Sequence, residues 1–520
     1  MDDHNPVNHF SEGDSRSKDN SYPSQNQDYP KFGKQVGYTV AANIVTLLIT
    51  LVQIPILTRG LGADFYGIWV LVNTTVFLVS PLACLSLGTA IVRFLASEKD
   101  ENKVREDFFS TFLATLISGI VFSALITLLS GPLSNYVFKD ARVSQYVSLA
   151  SILILLNALY TLAISFMRMR RTIGLYTLFG ISKAVLQVGA IFAVLQLGLK
   201  LDAVIIVSIA TLLIIDVVAL GIIFKQIGFT MPSLDRLRVY LKWGIPLIPN
   251  DLILWIINTS DRYMVSYFLG AASTGIYNAA YNIGQYASFA LTPLGVVLYP
   301  NVVKTYHEGR QDETRRYLKY STKYLLMVAI PSAFALSVLA KPLLILLTSD
   351  EFISASSVVP FVAFGVILYC FYLIGFYIIN TVNKTPIIIR ILAAAAGLNI
   401  ILNLILIPRM NLIGAALATL LSYGLMGVLT LILTRRYLKF DLNPVFIAKS
   451  VFASLVMLAF LLIAKPQSAL MVLVSIILGI LIYFGILIIV RGLDREELVF
   501  FFNIAKNILK RGNNDSTVEG

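Results

Sequence analysis

The chain has 520 residues, of which 57% are hydrophobic and only 13% are charged. Soluble globular chains carry about 25% charged residues, so this chain lacks the polar side chains that would cover a water-facing surface. Its net charge of +12 comes from Lys and Arg in short clusters between apolar runs. A nucleic-acid-binding surface would gather these residues into one patch or arm. The composition therefore indicates a multi-pass membrane protein and excludes a soluble domain and a nucleic-acid partner.

Apolar runs long enough to cross the membrane recur between residues 36 and 490. About 20 such residues span roughly 30 Å of hydrocarbon. We therefore expect an all-α polytopic membrane protein with about fourteen transmembrane helices. The predicted spans in chain order are 36–58, 67–95, 108–130, 144–167, 175–198, 202–225, 243–268, 275–303, 320–340, 356–381, 386–407, 411–433, 445–464 and 469–490.

The two ends of the chain are predicted to lie in the cytoplasm. Residues 1–35 are rich in Asp, Asn, Ser, Gln and Pro, which is typical of a disordered tail. Residues 491–520 alternate apolar and basic side chains, which predicts an interfacial helix and a tail. Basic residues number 28 in one set of alternate connecting segments and 7 in the other. Because cytoplasmic loops carry the excess of Lys and Arg, both termini are expected inside.

A self-match at a fixed interval indicates an internal duplication. Segment 61–69 (LGADFYGIW) recurs as 269–277 (LGAASTGIY), 208 positions later (269 minus 61). The same interval brings 209–213 (IATLL) onto 417–421 (LATLL). We therefore expect an N-terminal six-helix lobe at 36–233, a parallel C-terminal six-helix lobe at 234–441, and an extra helix pair at 442–490. Parallel repeats with substrate bound between them are one known transporter plan.

Polar residues mark one face of several predicted helices. Those of the first helix are spaced four, three, four and three residues apart, which places them on one face: Thr39, Asn43, Thr46, Thr50 and Gln53. A shift of 208 positions places three of these on Asp251, Asn258 and Asp261, and the eighth helix carries Asn278, Tyr281 and Gln285. Such faces can serve as interhelical hydrogen-bonding surfaces or line a wet cavity for sugar hydroxyls, and the sequence leaves both open.

Charged residues inside apolar spans favour the cavity, because a charge at the bilayer centre costs about 2.5–3.5 kcal/mol or more. Asp251, Asp261 and Asp216 are candidates for a coupling ion, and Lys183 is a further intramembrane cation. Asp261 and Arg262 lie about 100° apart on a helix, so they need not pair with each other. Guanidinium groups suit an anionic phosphate, and the candidates for that role are Arg59, Arg93, Arg262 and Arg390.

No metal or cofactor site is expected. Cys84 and Cys370 both fall inside apolar runs, far from any His, and no phosphate-binding Gly-Lys-Ser/Thr motif is present. The sequence therefore predicts no catalytic residues and no cofactor.

The motifs together resemble a known family. They are the segments 61–69, 260–264 (SDRYM), 275–281 (GIYNAAY) and 413–419 (IGAALAT). With the 6 + 6 + 2 arrangement, they resemble the polysaccharide flippases, the O-antigen flippase-like branch of the multidrug/oligosaccharidyl-lipid/polysaccharide exporter superfamily. The resemblance extends over nearly the whole chain, from about residue 34 to residue 490.

The resemblance implies a cytoplasmic-membrane protein that moves a lipid-linked oligosaccharide on polyprenyl diphosphate between leaflets, for surface polysaccharide assembly. It implies alternating access of two lobes, coupling to H⁺ or Na⁺, and membrane lipids and other polysaccharide-assembly proteins as partners. A cation-coupled drug antiporter of the same superfamily is the first alternative. A membrane glycosyltransferase or polymerase would need an acidic or His cluster on a sizeable outer loop, and the loops here are short and lack one. We therefore expect that the chain is not an enzyme.

Overall fold

A computed structural model describes residues 28–289, 291–438, 441–494, 497 and 499, without the side chains of 28–44, 47, 173 and 292–298. The protein is all-helical, with 88% helix and no strand among these residues. Buried backbone groups in hydrocarbon must be satisfied within the segment, which is why apolar runs become helices. The N-terminal half of the chain, called the N-terminal lobe below, as the C-terminal half is called the C-terminal lobe, holds α1 (Asp28–Cys84), α2 (Leu87–Leu95), α3 (Glu101–Pro132), α4 (Val143–Ala150), α5 (Ile152–Met169), α6 (Ile173–Gln196) and α7 (Leu201–Ile227).

The C-terminal half continues the helical pattern. Its helices are α8 (Leu234–Gly244), α9 (Ile248–Thr259), α10 (Asp261–Gln285), α11 (Leu291–His307), α12 (Gln311–Leu347), α13 (Val358–Thr381), α14 (Thr385–Thr434), α15 (Pro444–Ala464) and α16 (Ala469–Ile489). Side-chain caps fix some of the helix starts. The Asn443 side chain accepts a hydrogen bond from the Phe446 amide at 3.2 Å, and Ser468 accepts one from the Met471 amide at 3.3 Å.

The internal repeat corresponds to a repeated bend of the backbone. α1 bends at Gly62 (φ 70°, ψ 175°), and α10 bends at Gly270 (φ 87°, ψ 172°). Positive φ with extended ψ is accessible essentially only to glycine. Gly270 follows Gly62 by 208 positions (270 minus 62), which is the interval of the sequence repeat. The two halves of the chain therefore use the same residue for the same turn.

α1 and α10 cross at a point where neither helix has a side chain. A Cβ atom on Gly67 would collide with the carbonyl oxygen of Ala271, and one on Gly275 would lie 2.5 Å from the carbonyl oxygen of Ala63. The two contacts are reciprocal, because Ala271 and Gly275 stand 208 positions after Ala63 and Gly67. Small residues at such a crossing let two membrane helices approach to backbone contact.

Ten helical stretches of the described chain are long and apolar enough to cross a membrane, compared with the fourteen predicted spans. Two of these stretches correspond to pairs of predicted spans and contain a bend, at Gly62 in α1 and at Asn411 (φ 52°) in α14. The 12-residue helix α9 is too short to qualify. The chain is therefore a multi-pass helical membrane protein, and the count of fourteen stays a prediction.

Two of the expected segments meet the structure only in part. α1 begins at Asp28, so residues 28–35 of the expected disordered tail are helical, while 1–27 lie outside the described residues. Most of the expected interfacial helix at 491–520 also lies outside them. The extra pair α15 and α16 packs on α12, where the Tyr483 hydroxyl donates to the Met327 carbonyl at 2.9 Å.

The helix crossing gives a test. Gly67→Ala and Gly275→Ala should each lower the free energy of unfolding by about 1–3 kcal/mol, because the new methyl group meets backbone that cannot move aside. Gly189→Ala is the matched control, since a Cβ there meets nothing within 4 Å. The measurement is the thermal unfolding temperature of each purified variant in detergent. Equal unfolding temperatures for all three variants would contradict the crossing.

Candidate functional site

A cavity of about 1310 Å³ lies between the two lobes. Its walls come from α1, α2, α5 and α6 on one side and from α9 and α10 on the other. Among the described residues, the lining is rich in amides and hydroxyls and carries two cations and one carboxylate. The amide, hydroxyl and charged residues of the lining are Thr50, Gln53, Tyr66, Asn73, Thr74, Ser80, Ser86, Thr89, Asn157, Tyr160, Thr161, Lys183, Asp251, Asn258, Thr259, Arg262, Asn278 and Asn282.

Arg262 is the most firmly held charge in the cavity wall. Its side chain is 6% exposed, and its Nη1 lies 2.7 Å from Oδ1 of Asp261, which is 1% exposed. Nη1 also donates to the Asn258 carbonyl at 2.6 Å, and Nε donates to Oδ1 of Asn278 at 3.3 Å. Asp261 and Arg262 therefore form an ion pair, although their positions about 100° apart on the helix do not require one. Because a buried charge without a partner is costly in an apolar environment, the carboxylate of the preceding residue pairs with the guanidinium.

A second layer of side chains holds this ion pair in place. The Tyr277 hydroxyl donates to Oδ2 of Asp261 at 2.5 Å. The guanidinium carbon of Arg262 lies 3.9 Å from the ring centre of Tyr281, a cation–π contact. Gln285 in turn donates to the Tyr281 hydroxyl at 2.9 Å. Tyr281 and Gln285 therefore lie behind the cation and support it, rather than lining the cavity.

One guanidinium nitrogen of Arg262 remains available to a ligand. Nε and Nη1 make the hydrogen bonds described above, whereas Nη2 makes none with any residue that the structure describes. Arg262 also borders the cavity. A guanidinium that is fixed by three partners and has a spare donor is suited to bind an anionic oxygen.

The opposite wall carries the second cation. Lys183 on α6 donates to Oδ1 of Asn157 at 3.4 Å, and its Nζ lies 4.2 Å from the ring centre of Tyr160. Lys183 belongs to the N-terminal lobe and Arg262 to the C-terminal lobe, so each lobe contributes one positive charge. The sequence analysis noted Lys183 without placing it in the cavity. It missed Asn73 and Asn157, because the only feature that marks them in the sequence is an amide side chain inside an apolar run.

Hydrogen bonds cross between the lobes along the cavity wall. Asn278 donates to the Tyr66 hydroxyl at 3.1 Å, and the hydroxyls of Thr75 and Tyr263 lie 2.6 Å apart. The Trp255 indole donates to the Thr74 carbonyl at 3.3 Å. These are uncharged contacts, each with a modest net free energy of about 0.5–1.5 kcal/mol.

The lobes also meet at the end of the bundle that carries Gly62. Arg59 donates from Nε to the Thr348 carbonyl at 3.0 Å and from Nη2 to the Leu346 carbonyl at 2.7 Å. The Ala63 amide donates to Oε2 of Glu351 at 3.0 Å. Arg59 thus occupies carbonyl groups at the end of α12 that the helix itself leaves unpaired. These contacts join the two lobes at the Gly62 end.

A charged cluster lies beside these contacts. Arg142 donates to Asp64 at 2.7 Å and to Oδ2 of Asp140 at 2.7 Å. The hydrogen bonds from Arg142 lower the pKa of Asp140 below its usual range. The cluster therefore stays charged at neutral pH.

The structure brings together six of the residues predicted for the cavity or for ion coupling. These cavity-lining residues are Thr50, Gln53, Asp251, Asn258, Arg262 and Asn278. Thr46 does not line the cavity, and its carbonyl accepts a hydrogen bond from Thr50 at 2.9 Å. Asp216 and Asp261 are buried behind the wall at 2% and 1% exposure. The side chain of Asn43 lies outside the described part of the chain.

Three of the four arginines predicted to bind a phosphate do not line the cavity. Arg59 bonds to carbonyl groups of the other lobe, as described above. Arg93 is exposed, and its guanidinium carbon lies 5.0 Å from the ring centre of Trp243. Arg390 is exposed on α14. The sequence indicates that a charge sits in an apolar run, but the face on which it lies depends on packing.

No cluster of three or more His, Cys, Asp or Glu side chains that could hold a metal ion occurs among the described residues. Cys84 and Cys370 are both buried and unpaired. The polar chemistry of the site therefore consists of amides, hydroxyls and separate charges.

The buried ion pair gives a second test. Asp261→Asn should destabilise the protein by about 3–5 kcal/mol, because Arg262 would keep its charge without a counter-charge in an apolar surround. Asp64→Asn is the control for the same substitution at an exposed ion pair and should cost at most about 1 kcal/mol. The measurement is thermal unfolding in detergent. The double variant Asp261→Asn/Arg262→Gln should recover part of the loss, and equal losses for Asp261→Asn and Asp64→Asn would contradict the assignment.

Comparisons with known proteins agree with this architecture. A family model described as polysaccharide biosynthesis protein matches residues 32–306, more than half of the chain, and the MatE model matches residues 246–405. The lipid II flippase MurJ, in an inward closed conformation, superposes with a TM-score of 0.70 at 18% sequence identity. The superposition covers 86% of this chain and 96% of MurJ, so the two share a fold.

The sequence relatives include archaeal proteins. Agl15 of Haloferax volcanii, named a probable low-salt glycan biosynthesis flippase, is 22% identical over 388 residues, which cover 75% of this chain and 80% of Agl15. A membrane protein of Methanocaldococcus jannaschii is 25% identical over 197 residues, 38% of this chain, and the match spans only 39% of that relative's length. The family match extends over both α1 and α10, which build the cavity. The chain belongs to the polysaccharide biosynthesis protein family.

Proposed function

We propose that this protein translocates a lipid-linked oligosaccharide, carried on a polyprenyl diphosphate, across the cytoplasmic membrane by alternating access, for the assembly of a surface polysaccharide. The observation that carries the proposal is Arg262, a fixed guanidinium with a spare donor at the edge of an amide-rich cavity between two lobes. A diphosphate supplies the anionic oxygens that such a donor binds.

The rest of the lining suits the glycan. Amides such as Asn73, Asn258 and Asn282 can both donate and accept hydrogen bonds, as sugar hydroxyls require. A volume of about 1310 Å³ exceeds that of a typical small-molecule pocket, which is about 300–1,000 Å³. Two cations from opposite lobes, Lys183 and Arg262, favour an anionic cargo that touches both lobes at once.

The proposal includes a topology of fourteen helices, in two parallel six-helix repeats with an extra pair and both termini in the cytoplasm. The matched bends at Gly62 and Gly270 support the repeats. The excess of basic residues in one set of loops, 28 against 7, supports the orientation. In this orientation the Gly62 end faces outward, so the lobe contacts of Arg59 and Glu351 would close the outer side and leave the cavity accessible from the cytoplasm.

The names of the relatives point the same way. Agl15 and AglR of Haloferax volcanii are both named probable flippases, and neither is named a glycosyltransferase. The chain is accordingly not an enzyme.

Membrane lipids surround the protein, and other polysaccharide-assembly proteins are proposed as partners. Coupling to H⁺ or Na⁺ through Asp251, Asp216 or Asp261 is part of the same proposal.

A cation-coupled drug antiporter is the second candidate, because the MatE model matches residues 246–405. Its binding site would need negative charge for cationic drugs. Asp251 is the only carboxylate among the described lining residues of the cavity, against the two cations Lys183 and Arg262. The balance of charge therefore favours an anionic cargo.

Substitution of Arg262 tests the function in cells that lack the native gene. Arg262→Lys keeps the positive charge but lacks the planar guanidinium group with its several N–H donors. The rate of export should therefore fall roughly tenfold or more, which corresponds to the loss of one charge-assisted hydrogen bond of about 1.5–3 kcal/mol. Arg262→Ala should abolish export. Arg390→Lys, the same change at an exposed site, should leave export unchanged. The measurements are surface glycan per cell and the amount of protein in the membrane.

Normal surface glycan in both Arg262 variants, at normal protein levels, would contradict the proposal. Unchanged glycan in cells without the gene, together with a gain of drug sensitivity, would favour the antiporter instead.

A further inference from the structure

The carboxyl group of Asp216 in α7 has no hydrogen-bond donor. The residue is 2% exposed, and neither carboxyl oxygen accepts a hydrogen bond from the part of the chain that the structure describes. None of the ion pairs formed by the described residues includes Asp216. A buried, ionised carboxylate without a partner costs several kcal/mol, so this geometry favours the neutral acid.

Lys183 connects this carboxyl to the cavity. It is the charge that acts on Asp216, and in the structure its Nζ is directed to Asn157 and Tyr160 instead. Lys183, Asn157 and Tyr160 line the cavity, whereas Asp216 does not. The lysine therefore has access both to a ligand in the cavity and to the buried acid.

Few other titratable groups can influence Asp216. α7 packs against α6, α5, α4 and α1. From α5, Tyr160 interacts electrostatically with Asp216, and Tyr176 of α6 interacts with Tyr160. Among the described residues, α4 and α1 direct no charged group toward Asp216. Burial is therefore the first influence on the carboxyl, and Lys183 is the charged group that acts against it.

We infer that Lys183 and Asp216 form a switch that couples the binding of an anion in the cavity to the uptake of one proton. When Lys183 lies beside Asp216, both groups are charged. When Lys183 turns to the cavity, as in this structure, its charge is available to an anion and Asp216 is the neutral acid. The two states differ by one proton, which passes from cavity water to a carboxyl oxygen of Asp216, and no other bond forms or breaks.

The switch would offset the charge of an anionic cargo. That this anion is the diphosphate of the cargo rests on the proposed function. An anionic cargo brings negative charge into an apolar region, where uncompensated charge is costly. Protonation of Asp216 removes one negative charge from behind the cavity wall when the cargo binds. By reciprocal linkage, a lower pH must then tighten anion binding, by up to about tenfold per pH unit.

Titration calorimetry on the purified full chain tests the switch. The probe is inorganic sulfate, an anion that does not itself titrate near neutral pH. Titrations in two buffers with different protonation enthalpies give the number of protons taken up per sulfate. The wild type should take up as much as one proton per sulfate, and its affinity should rise by up to about tenfold for each unit by which the pH falls.

Asp216→Asn should bind sulfate without proton uptake and without pH dependence, and Lys183→Met should lose most of the affinity. Asp202→Asn, an exposed aspartate on the same helix, is the matched control and should behave as the wild type. Failure of the wild type to bind sulfate, or unchanged proton uptake in Asp216→Asn, overturns the inference.

A spectroscopic readout covers the case in which Asp216→Asn does not fold. Infrared spectra of the wild type with sulfate should contain the carbonyl band of a protonated aspartic acid, shifted by labelling with ¹³C-aspartate, and absence of the band overturns the inference. The sulfate assay involves no glycan. If sulfate binding takes up no proton while glycan export still depends on Arg262, the switch alone is refuted. If sulfate binding takes up a proton through Asp216 while glycan export does not depend on Arg262, the proposed function alone is refuted.

Discussion

A guanidinium group inside the apolar part of a membrane protein must be paired and hydrogen-bonded, and the site is organised around that requirement at Arg262. Asp261 supplies the counter-charge, Tyr277 holds Asp261, and the carbonyl of Asn258 accepts a further hydrogen bond. The cation is thereby fixed at the edge of the cavity with one donor left for a ligand.

The arrangement of the lobes follows from the glycines of α1 and α10. Gly67 and Gly275 let the two helices cross at backbone distance, and Gly62 and Gly270 turn both helices at the same end of the bundle. Around this crossing, hydrogen bonds join the two lobes; some are uncharged, such as those of Asn278 and Trp255, and others involve the charged groups of Arg59 and Glu351. The uncharged contacts can be exchanged at modest cost in free energy.

Sequence patterns carried much of this information because the relevant physics is local. The 208-residue interval predicted matched halves, and helical periodicity placed Thr50 and Gln53 on one face and Asn258 near them by the shift. The positions of the arginines could not be predicted in this way. Arg59 meets the end of α12 only through tertiary packing, Arg93 stacks on Trp243, and Arg390 is exposed on α14.

Reconstitution of the purified protein into vesicles that carry a polyprenyl-diphosphate-linked oligosaccharide in the inner leaflet tests the central claim most directly. The measurement is the rate at which the glycan becomes accessible to a lectin or a glycosidase added outside. We expect rapid exposure with the wild type and with Arg390→Lys, and exposure at the rate of protein-free vesicles with Arg262→Ala. Equal rates for the wild type and protein-free vesicles, or for the wild type and Arg262→Ala, would contradict a cavity in which this cation binds the diphosphate.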